Sequence, residues 1–201
     1  ETRITRRRST VPLRIAGFNL GEYKRSTATR GELTVEVFAN KRVEASLTPQ
    51  RREVSLPPPA LGGPRGGARQ PNLQPVPIQP AAPDPAARID DLAGEVAEAF
   101  EFLAARIGAP PLKTLAVSPI PGAFGQGFPG LIYLSTLAYL PARERPQFAT
   151  SSVNQVFFSD ILVAHEVAHQ WWGNTVSTVG YRDEWVMEAL ANYSEIGIAH
   201  V

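Results

Sequence analysis

The sequence predicts an α+β fold with a β-rich N-terminal part, a Pro/Gly-rich linker and a helical C-terminal part, and three observations carry that prediction. Leu33, Val35 and Val37 alternate with Thr34, Glu36 and Phe38, the two-residue period of a strand with one buried face. Ten of the nineteen prolines fall between Pro57 and Pro85, interleaved with Gly62, Gly63, Gly66 and Gly67; such a stretch has too little apolar surface to offset its ordering entropy, and proline keeps it extended. Beyond it, Ile89, Leu92, Val96, Phe100 and Leu103 recur at three- and four-residue steps, which sets them on one face of a helix. The division that follows is 1–48, 49–85 and 86–201.

In chain order, Val11 to Leu20 and Leu33 to Phe38 read as strands, and Ala39-Asn40-Lys41-Arg42 as a turn into a further strand from Val43 to Leu47. So few residues cannot bury a sheet core of their own, so these strands are expected to lean on the rest of the chain. The stretch from 49 to 85 is a linker or extended arm, or else a proline-rich ligand around Pro75-Val76-Pro77 for an aromatic groove on a partner. A helix from Pro85 to Ile107 is stopped by Gly108 and Pro110-Pro111. Thr114 to Val117 and Leu131 to Ser135 are short strands on either side of a glycine-rich loop, Gly122 to Gly130. Asn154 to Ser159 leads into a second helix with Ser159 as its N-cap and Asp160 in its first turn, ending near Gly173-Asn174. A further helix starts around Asp183-Glu184.

Composition narrows the function. Twenty basic and nineteen acidic side chains leave a formal charge of +1, so no global field favours nucleic acid or an anionic membrane. Arg6-Arg7-Arg8, the densest basic cluster, reads as a solvated strand edge. With no cysteine there are no disulfides, thiolate ligands or thiol nucleophiles, and no uninterrupted apolar run approaches the ~18 residues of a membrane span. The chain opens on Glu1 rather than Met, and its last helical stretch reaches Val201 without a stop signal, so it is expected to be a piece of a longer protein.

The chemistry is concentrated in His165-Glu166-Val167-Ala168-His169. Residues four apart on a helix differ by about 40° around the axis and about 6 Å along it, so two imidazoles point at one place. That suits a tetrahedral zinc ion. Glu166, offset by about 100°, hangs beside the metal and can handle a water instead of ligating. A catalytic zinc keeps three protein ligands and one open position, and Glu188, on the next helix, is the candidate for the third. Ile161, Leu162, Val163, Ala164, Val167, Ala168, Trp171 and Trp172 surround the polar trio, so the helix must be buried. Three polar groups in such a helix lose several kcal/mol of hydration unless paired or metal-bound. Asn192, one turn beyond Glu188, is either an acceptor for the second N–H of a ligating histidine or a helix-surface amide. His200 has no partner at ligand spacing and reads as a surface histidine.

The string His165-Glu166-Val167-Ala168-His169-Gln170-Trp171-Trp172-Gly173-Asn174, followed by Glu184-Trp185-Val186-Met187-Glu188-Ala189-Leu190-Ala191, resembles the gluzincin metallopeptidases, specifically the membrane alanyl aminopeptidase family. The resemblance runs over Phe157 to Tyr193, with Met187 and Ala189 standing where the family has Asn and Gly, and extends to Val11 to Leu47, which looks like the last strands of the family's N-terminal β-domain. It implies a thermolysin-like catalytic subdomain, its helices packed on a small mixed sheet, with one zinc ion on His165, His169 and Glu188, and a peptide as substrate. Gly130, Leu131 and Ile132 match the family's substrate-binding strand. The family carries Gly-Ala-Met-Glu-Asn just before it, the glutamate holding the substrate's free α-amine, and counting back from Gly130 puts Gly127 in that place. The family's oxyanion-stabilising tyrosine lies well beyond the third ligand, and Tyr193 is too near Glu188 to stand in for it. The expected reaction is peptide hydrolysis with Glu166 as general base. A non-catalytic zinc or peptide-binding module and a hydrolase of a non-peptide substrate are the alternatives, and retention of Glu166 speaks against the first, since a structural zinc site has no use for an unligated carboxylate.

Overall fold

The computed structural model describes residues 16–49 and 81–199. The alternation at Leu33 to Phe38 becomes one arm of a hairpin: β1 (Tyr23–Arg30) pairs antiparallel with β2 (Leu33–Asn40), from Tyr23 opposite Asn40 to Arg30 opposite Leu33. Leu33, Val35, Val37 and Ala39 are buried and the intervening residues are not, the pattern of one face packed on a core. The hairpin partner precedes β2 instead of following it. Val43 to Leu47 is not a strand; a single 3₁₀ turn at Ala45–Leu47 stands there, and the chain leaves the sheet at Lys41, whose N–H donates to Glu22 O and whose ammonium meets the Glu22 carboxylate at 3.1 Å. β1 has no apolar alternation in its sequence: Lys24, Ser26 and Arg30 stand on one face with Ala28, and Arg25, Thr27 and Thr29 on the other with Tyr23. Residues 16–20 form no regular element, and Val11 to Ile15, Arg6 to Arg8, residues 50–80 and His200 lie outside the described residues.

Helix α1 (Ile89–Ile107) begins four residues later than Pro85, after a turn, and buries Leu92, Val96, Phe100 and Leu103 against the sheet. It stops at Gly108, whose φ of 92° is open to glycine and strained for other residues. β3 (Thr114–Ile120) then pairs in parallel with β2 and with β5 (Leu131–Ser135). The glycine-rich loop holds a strand of its own, β4 (Gln126–Phe128), antiparallel to β5, so the order is β1-β2-β3-β5-β4. Pro129-Gly130, with Gly130 at φ 71°, has the residue pattern of a type II turn between them. The sheet is small and mixed, compatible with the α+β reading, and strands from both sides of the Pro/Gly-rich stretch share it.

The second helix starts earlier than expected. Ser151 is the N-cap, its hydroxyl accepting from Asn154 N at 3.3 Å, and α2 (Ser152–Val156) leads through a π-helical turn (Phe157–Ile161) into α3 (Leu162–Ala168). Ser159 lies inside that turn, where its hydroxyl accepts from the buried guanidinium of Arg145 at 3.2 Å; Arg145 also donates to Leu137 O, Leu140 O and Gln155 O. An uncapped-looking serine in mid-helix is thereby explained by a distant cation. α4 (Glu184–Ala199) packs against α3. Two tryptophans fix α3 in place: Trp171 stacks on Phe100 at 4.9 Å and donates to Gly108 O, and Trp172 donates to Ser194 Oγ on α4 at 2.9 Å.

Candidate functional site

α3 presents His165 and His169 one turn apart, with their Nε2 atoms 3.1 Å from each other. α4 brings Glu188 over them: its Oε2 is 3.4 Å from His165 Nε2 and 3.6 Å from His169 Nε2. Four ligands arranged tetrahedrally at ~2.1 Å from a zinc ion are ~3.4 Å apart, so the three separations are those of one face of such a tetrahedron. Among the described residues this is the group of His, Asp and Glu side chains that could hold a metal.

The other ring nitrogens decide whether the donor set fits a cation. His165 Nδ1 lies 3.0 Å from Glu195 Oε2, and His169 Nδ1 lies 2.9 Å from Trp172 O. A carboxylate and a carbonyl only accept, so each Nδ1 carries the proton. Both Nε2 atoms then face each other and a carboxylate, a convergence that fits a shared cation, and the acceptor at the far side of each ring orients the nitrogen toward it.

Glu195, not Asn192, supports His165. Residues seven apart on a helix are offset by only about 20°, so Glu195 returns to the face of Glu188. Asn192 is displaced by about 40° and lies exposed. A count of seven from Glu188 reaches Glu195, and of the two readings left open for Asn192 the exposed helix-surface amide is the one its position fits. Glu195→Gln, which weakens the acceptor for His165 Nδ1, is expected to lower zinc affinity ~10–100-fold with Glu188 untouched. Competition with a chelator reads it, and unchanged affinity would remove Glu195 from the support of the metal.

Glu166 is 4% exposed, and its Oε2 is buried with no hydrogen-bond partner. Burial, and then the Glu188 charge, push its carboxyl up to about 8. A cation at the His/His/Glu cluster acts in the opposite sense and favours the carboxylate.

Strand β4 closes over these groups. A Cβ on Gly125 would lie 2.5 Å from Glu166 Oε1, and one on Gly127 would lie 2.6 Å from His169 Cβ and 3.0 Å from Glu166 O. Position 127 is therefore more than a place without a carboxylate: a side chain there collides with His169 and the backbone of α3 unless the strand moves. Gln170 and Asn174, which the sequence reading passed over, reach the same strand. The expectation that Gly130, Leu131 and Ile132 bind an extended peptide is corrected by the sheet order. β5 is paired on both sides, to β3 and β4, and Gly130 gives its N–H to Gln170 and its carbonyl to Ala116. β4 ends the sheet on the side of the site, as β1 ends it on the other, and Gln126, Gly127 and Phe128 line a cleft of about 620 Å³ with His169, Glu184 and Glu188.

Comparison with known proteins finds a match over the segment that carries the site. Residues 139–200 match the Peptidase family M1 domain, in line with the resemblance around His165 and Glu188. Among individual relatives, it is 40% identical over 47 residues to Endoplasmic reticulum aminopeptidase 2 of Homo sapiens, 23% of this chain and 5% of that protein. It is 43% identical over 44 residues to Probable aminopeptidase 1 of Saccharolobus solfataricus, 22% of this chain and 6% of that protein. Over 50 residues it is 40% identical to Aminopeptidase N of Bos taurus, 25% of this chain and 5% of that protein. The chain thus matches only a small part of the length of these relatives. No helix among the described residues is long and apolar enough to cross a membrane.

Proposed function

We propose that this chain carries the zinc-binding and general-base residues of a peptide hydrolase. The observation that supports it most is the pair of Nε2 lone pairs and the Glu188 carboxylate converging at 3.1, 3.4 and 3.6 Å, with both Nδ1 atoms held by acceptors. His165, His169 and Glu188 would hold the ion, and zinc bound there supplies a Lewis acid that polarises a carbonyl and acidifies water. Glu166 does the proton work. Its partnerless Oε2 takes a proton from the attacking water and returns it to the leaving amine. Burial keeps that carboxyl out of competing hydrogen bonds, and Gly125 allows β4 to cover it. The substrate lies along β4, the exposed edge of the sheet, as an extended chain.

Amine recognition separates this chain from the aminopeptidases to which it is similar. A desolvated ammonium needs a carboxylate partner, and position 127 has neither a carboxylate nor room for one. Apart from the candidate ligand Glu188, Glu184 is the carboxylate that lines the cleft. The full-length protein is expected to cleave peptides with acetylated N-termini at kcat/KM within ~100-fold of their free-amine counterparts, and to lose both activities on complete metal removal. A free-amine preference of ~100-fold or more, worth about 2.7 kcal/mol, would assign the amine to another carboxylate such as Glu184. Cleavage that survives metal removal would overturn the metal-dependent reading.

A further inference from the structure

We propose that Gln170 is a positioning residue for the hydrolysis proposed above, setting the place of strand β4 relative to Glu166 and His169. The inference rests on that function and concerns a residue outside the metal and proton-transfer groups. Gln170 follows His169 directly, is 1% exposed and uses both ends of its amide on one hairpin. Its Nε2 donates to Phe128 O at 3.0 Å, and its Oε1 accepts from Gly130 N at 3.0 Å. The two bonds straddle the Pro129-Gly130 turn. Four residues on, Asn174 Nδ2 reaches Gly127 O at 3.4 Å, and Thr175 donates to Gln170 O at 2.7 Å, fixing the backbone from which the clamp springs.

The clamp is needed because β4 is short. Three residues paired on one side give few ladder bonds, and a strand so weakly held is free to fray. Yet Gly127 within it and Gly125 just before it lie in close approach to His169 and Glu166, so a small displacement of β4 alters the space in which the base and a peptide carbonyl must meet. Gln170 couples the strand to the metal helix at the residue next to a candidate ligand. A buried amide of this kind has a second possible use, as a satisfied core group that only adds stability, and the two uses differ in what they disturb when removed.

The experiment compares full-length wild type with Gln170→Met, which keeps the volume and loses both bonds, and Gln170→Glu, which still accepts from Gly130 N but cannot donate to Phe128 O. Zinc per chain, thermal stability, kcat and KM on peptides of four or more residues, and amide hydrogen exchange are read in each. Both variants are expected to keep about one zinc per chain, to exchange the amides of residues 126–130 ~10-fold faster or more, and to lose ~10-fold or more in kcat/KM. Loss of activity only in proportion to lost zinc or folded protein, with unchanged exchange at 126–130, would make Gln170 a core amide and overturn the proposal. If a variant does not fold, Gln170→Asn, which shortens the same amide, takes its place with the same readings. Glu166→Gln measured alongside tests the hydrolytic function by itself: intact turnover there removes that function, whereas faster exchange at 126–130 still stands or falls with the Gln170 clamp.

Discussion

Replacing Glu166 by glutamine is expected to lower turnover of the full-length protein ~100-fold or more while zinc stays bound at about one ion per chain. Glutamine keeps the size of the side chain and fits the space left by Gly125, but an amide oxygen cannot take and return a proton at the pH of the assay. Because Glu166 Oε2 has no partner in the folded chain, the substitution breaks no hydrogen bond there, so the fold gives little reason for the zinc site to change. Parallel metal analysis and steady-state kinetics separate the roles. Zinc lost with turnover would make Glu166 a ligand, and turnover left intact would point to another base.

The second large effect concerns the metal itself. His165→Ala, His169→Ala and Glu188→Ala are each expected to weaken zinc by more than the ~10–100-fold that loss of a supporting partner produces, because each removes one of three converging donors. Stability carries an independent signature. A ligand present at 1,000 times its Kd stabilises the folded state by about 4.1 kcal/mol, so a chelator should lower the Tm of wild type clearly and that of His165→Ala hardly at all. Equal zinc content in wild type and His165→Ala would end the assignment of this centre. The histidine variants also release a support each, since Glu195 and Trp172 O lose the N–H that they accept.

Much of this was legible before any coordinates. The alternation at Leu33, Val35 and Val37 and the three- and four-residue recurrence from Ile89 to Leu103 are local periodicities, and both faces are buried where those periods put them. The helical spacing of His165 and His169 and their apolar surroundings likewise fixed which groups must face one point. The edge strand was invisible for a physical reason: Gln126-Gly127-Phe128 has no apolar alternation and two neighbouring glycines, and it is a strand only because β5 offers it a ladder. β1 was missed similarly, its exposed face being polar. Ser159, ahead of an apolar run, has the pattern of a cap, and nothing local reveals the arginine fourteen residues away that it meets instead.

What the sequence determined by itself is the identity of the chemistry: two imidazoles and an adjacent carboxylate on one buried helix, a second carboxylate on the next, and the family pattern around them. The convergence of the two imidazoles follows from helical geometry, which repeats every few residues and so can be counted along the chain, whereas the pattern around Glu188 rests on the resemblance. What the tertiary structure alone decided is the company these groups keep. Glu195 instead of Asn192 behind His165, β4 instead of β5 at the sheet's edge, and the collision awaiting any side chain at Gly127 all depend on how α3, α4 and the sheet approach one another. Those approaches are set by long-range packing, through Trp171 on α1 and Trp172 on α4, and distances between separate elements leave no period in the sequence to read.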